Sequence, residues 1–445
     1  MERIIFDFDL ASACISASQS EKIGQKLLPE IKKIKESLSL GYESDYASIH
    51  LLHDTSLLGR VKTVINEKKK LDISALVVIG IGGSNLGTLA IHKALHGEFY
   101  NEESNASSAS KVYFVDTIDA DYLGDIINLV TNLFECGENV LINVITKSGT
   151  TTETIANFEI FLSLLQEYEP ENWNDYIVVT TDKGSPLQEY ASKEQITCLQ
   201  VPHKVGGRYS VFSQVGLFPL GFLGVDIAHL LNGAKDMLQD CIQERIDVNP
   251  AALSASIIYY HYKKGANIHD TFVFSKCLKN FGQWYRQLVG ESVGKKFNKE
   301  GDAIEVGITP TVSVGTVDLH SVAQLYLAGP RDKFTTFVTA KPKEDICMPD
   351  MKEFDVFVEN IQGRPLSFIM DSIVGGTKKV YKNDKRPFVS VYLPIIDEYT
   401  LGQILQWKML EIVYLGYLLN VNPFDQPQVE LYKKETRNIL GKKAI

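Results

Sequence analysis

Residues 146 to 154 read Thr-Lys-Ser-Gly-Thr-Thr-Thr-Glu-Thr, six hydroxyl side chains in nine positions. They follow the β-rich run Val140-Leu141-Ile142-Asn143-Val144-Ile145 and precede an apolar-periodic helix whose pattern starts near Ile155. A strand, a hydroxyl-rich turn and a helix N-terminus present free backbone N–H groups, O–H donors, the positive end of a helix dipole and one lysine. That set suits a phosphate; an uncharged ligand would gain little from it. An ordinary Ser/Thr helix cap needs one or two hydroxyls, and six exceed that need.

A second turn, Gly80-Ile81-Gly82-Gly83-Ser84-Asn85-Leu86-Gly87, follows another predicted strand. As a dinucleotide fingerprint it fails at the third glycine, where Asn85 stands, and as a P-loop it lacks Lys-Ser/Thr, since Thr88-Leu89 follow Gly87. What remains is physical: glycines let backbone approach a ligand closely, and Ser84 with the following helix can face it. Taken alone, a tight connecting turn accounts for this segment equally well. Phe281, Trp284, Tyr285, Leu288 and Val289 form an apolar stripe at i, i+3, i+4, i+7, i+8. Gln287 and Glu291, four residues apart, share one edge of that stripe. A carboxylate bordering an apolar face is partly desolvated, which moves its pKa toward the range of a general base. A plain solvated glutamate is the ordinary alternative.

These segments need a scaffold, and the composition bounds it. The chain has 445 residues, 44% hydrophobic and 22% charged, enough for two packed cores. A net charge of -10 and a pI near 5.5 argue against a nucleic-acid footprint and for a small partner. The longest uncharged apolar-rich run, 211–225, contains Ser213, Gln214 and Pro219 and falls short of the roughly 20 residues of a membrane span. Glu2, Arg3, Asp7 and Asp9 interrupt the first ten residues, so no signal peptide is read and a cytoplasmic location is expected. Cys14, Cys136, Cys198, Cys241, Cys277 and Cys347 lack C-x-x-C spacing; buried free thiols are expected, with no disulfide framework and no zinc site.

Two stretches alternate short β-rich runs with amphipathic helices. Strands are predicted over 76–80, 111–117, 140–147, 176–181 and 196–201 in the first, and over 271–275, 333–339 and 387–393 in the second. Helices near 281–290, 319–327 and 399–419 separate the latter set. The alternation implies an α/β chain with two doubly wound parallel sheets and flanking helices. The first α/β domain is placed at 71–215 and the second at 216–445. Residues 1–70 read mostly as helix and loop packing on the second, with Leu27-Leu28, Ile31, Ile34 and Leu38 at helical spacing. Residues 101–110 read as a polar surface loop.

Together with Val205-Gly206-Gly207-Arg208-Tyr209-Ser210, Asp318-Leu319-His320-Ser321 and Phe424-Asp425-Gln426-Pro427-Gln428-Val429-Glu430-Leu431, these segments resemble the glucose-6-phosphate isomerase family in its shorter bacterial form. The motifs run in the family's order from residue 80 to 433, most of the chain. Two departures stand out: Thr146 replaces a common serine and keeps a hydroxyl, and Gln428 replaces a glycine in the turn that sets Lys433.

The resemblance implies two sheets of sugar-isomerase type and an isomerase of glucose 6-phosphate and fructose 6-phosphate, working through a cis-enediol without metal or cofactor. It implies Glu291 as the base that moves a proton between C1 and C2, and Arg208 as the fixed positive charge for the enediolate oxygen. It implies His320 as the ring-opening histidine with Lys433 as its partner, the latter seven residues after Gln426 on the same helical face. A capping role for the histidine and a solvated lysine are the bland alternatives. Gln287 and Gln426 would orient substrate oxygens, while Gly83, Ser84, Thr146, Lys147, Ser148, Thr151 and Thr154 would hold the phosphate. A homodimer with sites shared between subunits follows, the histidine coming from the neighbour. Phosphosugar-binding domains of transcriptional regulators share the two turns, but no basic DNA-binding module accompanies them here.

Overall fold

The computed structural model describes residues 2–103 and 110–441. The strands β2 (Ile73–Ile79), β3 (Lys111–Val115), β4 (Asn139–Ile145), β5 (Ile177–Asp182) and β6 (Thr197–Val201) form one sheet, all parallel, in the order β3-β2-β4-β5-β6. These are short, branched, almost wholly buried runs, as strands covered by helices on both faces must be. Alternate side chains of β2 divide between two cores, Leu76 and Val78 on one face, Ala75, Val77 and Ile79 on the other.

The second sheet comprises β1 (Ile5–Asp7), β7 (Ile268–Val273), β10 (Thr309–Val314), β11 (Lys333–Ala340) and β12 (Phe388–Leu393), in the order β1-β12-β11-β7-β10. It corrects the sequence reading in two respects. β10 adds an unpredicted parallel edge strand, and β1 pairs antiparallel with β12, so the sheet is mixed at that edge. Pro310 fits β10 because an edge strand needs no ladder donor on its outer side. A small antiparallel pair, β8 (Lys295–Phe297) with β9 (Ala303–Val306), follows the helix Lys279–Val293.

In the N-terminal segment β1 lies on the second sheet and His261 Nε2 is 2.6 Å from Ala13 O. Between the two sheets lies one continuous core. It runs from Leu76 and Leu141 through Trp407, Leu410 and Leu288 to Phe334 and Val391. The helix Glu398–Leu418 is buried on all sides from Tyr399 to Gly416, an apolar cylinder rather than an amphipathic surface helix. The predicted helix at 319–327 is a 3-10 turn, Val317–Leu319, then a short helix, Ala323–Ala328. Asn101 lies in a short helix, Tyr100–Glu103, and residues 104–109 of the predicted polar loop fall outside the described residues. The six cysteines are free, but only Cys241 is buried; Cys136 and Cys347 are exposed and the others half-buried, which corrects the expectation of buried thiols. Among the described residues no helix is long and apolar enough to cross a membrane.

Candidate active site

The chain leaves β2 for β3 on one side and later returns to β4 on the other, so the carboxyl ends of β2 and β4 form a topological switch point. Both turns singled out in the sequence sit there. A Cβ on Gly80 would stand 3.1 Å from Ile145 O, which places the end of β2 directly against the end of β4.

The hydroxyl turn lies between β4 and the helix Thr152–Tyr168. Thr146 and Thr151 share a hydrogen bond of 2.8 Å between their hydroxyls, and Thr150 N and Oγ1 both donate to Ser148 Oγ at 3.2 Å. Thr151 takes the N-cap position but makes no side-chain cap, leaving the first N–H groups of the helix without that partner. Gly149 has φ +70, and a Cβ there would lie 2.9 Å from Ser185 Cβ, so the tight turn needs glycine on both counts. Thr154 Oγ1 is buried without a hydrogen-bond partner among the described residues. Lys147 is half-buried and donates to His203 O at 2.6 Å; burial lowers its pKa, and the Asp182 carboxylate opposes the shift.

After β2 the glycine turn forms a 3-10 turn, Gly82–Ser84, before the helix Leu86–His96. Its glycines make room for the other machinery. A Cβ on Gly82 would stand 2.8 Å from Gln287 Nε2, and one on Gly83 would stand 2.6 Å from Arg208 N.

Arg208, 1% exposed, is the hub. Its Nε donates to Ser292 Oγ at 2.7 Å, Nη1 to Gln426 Oε1 at 2.7 Å and Nη2 to Asp425 O at 3.0 Å, with Pro423 O as a further acceptor. Nη1 also lies 3.4 Å from Glu291 Oε2. A buried guanidinium is tolerated only when its donors are paired, since desolvation costs several kcal/mol. Most acceptors here are neutral, so pairing satisfies the fork without cancelling the charge. Glu291 is held on its other oxygen by Gln287, whose Nε2 donates to Oε1 at 3.1 Å. The apolar stripe behind them behaves as read: Phe281, Trp284, Tyr285, Leu288 and Val289 are each at most 1% exposed.

Two predicted members stand apart within this chain. His320 follows the 3-10 turn Val317–Leu319 on an exposed loop, and its ring makes no hydrogen bond, ion pair or ring contact with any described residue. Asp318 is engaged instead with Val314 N and Ser321 Oγ, each at 2.7 Å. Lys433 is on the helix Val429–Leu440, paired with Glu430 at 2.8 Å. Gln426 precedes that helix, in the turn after Pro423, so the shared helical face expected for Gln426 and Lys433 does not exist. Gln428 caps the helix with φ -69, a conformation open to any residue, which explains why glycine is dispensable there.

Sequence reading missed the supports: Ser292, Tyr209, the carbonyls of Pro423 and Asp425, and Lys295. Tyr209 Oη lies 3.0 Å from Ser292 Oγ, and Lys295 Nζ donates to Glu291 O at 2.9 Å. A lysine four residues after Glu291, beyond a helix end, was the one available signal.

The phosphoglucose isomerase family profile matches residues 60–444. The glucose-6-phosphate isomerase of Carboxydothermus hydrogenoformans is 34% identical over 374 residues, 83% of this chain and 79% of that one. That of Streptococcus agalactiae serotype III is 36% identical over 383 residues, 84% and 82% of the two chains. The fold is shared with a glucose-6-phosphate isomerase from Chlamydia trachomatis at TM-score 0.78, 21% identity and coverage of 98% and 93%. A hypothetical protein of Thermus thermophilus superposes at TM-score 0.83 with 27% identity, covering 99% of this chain and 100% of that one.

Proposed function

The chain belongs to the phosphoglucose isomerase family, and from that premise we infer that it interconverts glucose 6-phosphate and fructose 6-phosphate, a step of glycolysis and gluconeogenesis. The observation that carries the mechanism is the buried Arg208 reaching Glu291 and Gln426 from one guanidinium.

Moving a carbonyl between C1 and C2 requires a proton to leave one carbon and return to its neighbour. Glu291 is the base for both transfers, its carboxylate aimed by Gln287. Negative charge grows on the enediolate oxygen as the proton leaves. Arg208 meets it with a charge that cannot be lost and that needs no reorganisation, because its fork is already held. Gln426 and Gln287 orient substrate oxygens. Ser84, with Gly83 beside it, Thr146, Lys147, Ser148, Thr151 and Thr154 form the phosphate end, where backbone N–H groups meet a helix N-terminus.

Ring opening is assigned to His320 with Lys433. The isolation of the His320 ring supports its contribution to a neighbouring subunit's site. Support for a homodimer also comes from the helix Val429–Leu440, which buries no residue yet exposes Leu431, Tyr432, Ile439 and Leu440. A cytoplasmic location is inferred from the glycolytic step.

The test is direct. Purified chain incubated with fructose 6-phosphate, without added metal or nicotinamide, yields glucose 6-phosphate followed by NMR, and Glu291→Gln lowers turnover by roughly 10²–10⁴-fold while substrate still binds. Near wild-type turnover in that variant, free of host isomerase, would assign the base elsewhere.

A further inference from the structure

Lys295 has no part in the chemistry described so far, yet its ammonium joins two segments that perform it. It opens β8 just after Gly294, which ends the helix carrying Glu291. The side chain is 5% exposed, so each of its three donors needs an acceptor. Each has one: Glu291 O at 2.9 Å, Asp425 Oδ1 at 2.9 Å and Asp425 O. The first is a carbonyl of the last helical turn, beyond which no intrahelical N–H follows to meet it. The third also accepts from Arg208 Nη2 at 3.0 Å, and the next residue, Gln426, accepts from Nη1 at 2.7 Å.

Lys295 thus ties the backbone of the base to the loop that frames the guanidinium. We propose that Lys295 is a positioning residue: it holds Glu291 against residues 423–426 and so sets the carboxylate-to-guanidinium spacing on which proton transfer depends. The proposal rests on Glu291 being the base. Burial lowers the Lys295 pKa, and the Asp425 carboxylate opposes that shift.

The experiment compares Lys295→Met, Asp425→Ala and Glu291→Gln in the full chain, using glucose 6-phosphate deuterated at C2. Lys295→Met is expected to lower kcat by roughly 10- to 100-fold with KM within about threefold, the scale of a mispositioned catalytic group. The share of deuterium that reaches C1 rather than solvent should fall to less than about half of wild type, because a loosened carboxylate exchanges its proton with water. A merely structural loss reduces the amount of active enzyme and leaves that share unchanged. Should Lys295→Met fail to fold, Asp425→Ala decides: its side chain is half-exposed, and it should lower kcat about 3- to 10-fold and move the label share the same way. Wild-type label transfer in both variants, or in Asp425→Ala where Lys295→Met does not fold, overturns the proposal, as does a Lys295→Met kcat within threefold of wild type. Turnover surviving in Glu291→Gln would locate the failure in the choice of base, not in Lys295.

Discussion

Gly83 lies against the peptide of Gly207 so closely that a Cβ on Gly83 would stand 2.2 Å from the Gly207 carbonyl carbon. The glycine turn after β2 and the loop that carries Arg208 are therefore joined backbone to backbone, with no side chain between them. Their separation is fixed by the absence of a single methyl group.

Gly83→Ala must push the two loops apart, because the atoms it meets are backbone. Overpacking of this kind typically costs about 1–3 kcal/mol of stability. The displacement of Arg208 should lower kcat/KM by roughly 10²-fold. Gly59→Ala is the control: Gly59 sits in the helix Thr55–Lys68 with open space around its Cβ position, and it should gain up to about 1 kcal/mol with unchanged kinetics. Steady-state rates and urea midpoints of the two variants check both statements.

Phosphate recognition at the hydroxyl turn predicts that uncharged fructose binds far more weakly than fructose 6-phosphate. Ser148→Ala with Thr151→Ala should raise KM more than it lowers kcat, since contacts to a remote phosphate act alike in ground and transition states. Calorimetric titration giving similar affinities for the two sugars would remove the turn from the site.

A shared site predicts complementation. Chains of His320→Ala and Glu291→Gln, each inactive alone, should recover activity when mixed and allowed to exchange subunits, because one site of each heterodimer is then intact. No activity in a heterodimer demonstrated by native mass spectrometry would place the ring-opening group within one chain or on another residue.

His92 predicts acid sensitivity. It is 1% exposed, packed beside Tyr100, His96 and Phe114, with Nδ1 buried and without a hydrogen-bond partner among the described residues. Burial, then the charges of His96 and Lys93, push its pKa down from 6.5 to about 3. Between those values the unfolded chain binds a proton that the folded chain excludes. The stabilisation is complete above pH 6.5 and is lost as pH falls toward about 3, at up to about 1.4 kcal/mol per pH unit. His92→Phe removes this group, so its urea midpoint should fall less steeply than that of wild type between pH 6.5 and 5. Parallel slopes would mean that His92 does not titrate this way.

What could be read from the sequence was whatever repeats at short range. The stripe from Phe281 to Val289, the buried parallel strands and the two turns all declare themselves within about ten residues. β10 did not, because Pro310 and alternating Thr and Ser residues look like a loop until β7 supplies its single ladder. β1 is three residues long and exists only through β12, more than 380 positions away. The supports of the site were hidden for the same reason. Lys295 lies beside another lysine in a charged stretch, and only Asp425, 130 residues later, turns it into a buried group. The roles of His320 and Lys433 came from family likeness, and within one chain neither residue meets the Arg208 cluster.

The fork of Arg208 closes on Gln426, 218 residues further along the chain. At ribosomal speeds of roughly 5–20 residues per second, about 10 to 40 s pass between the synthesis of the guanidinium and that of Gln426. Throughout that interval the first sheet, complete by Val201, can be folded while the guanidinium still lacks the acceptors of residues 423–426. Closure of this fork is therefore among the last events in a nascent chain, and a product that stops before residue 423 carries both turns and Ser292 but leaves the Arg208 Nη groups without Pro423, Asp425 and Gln426.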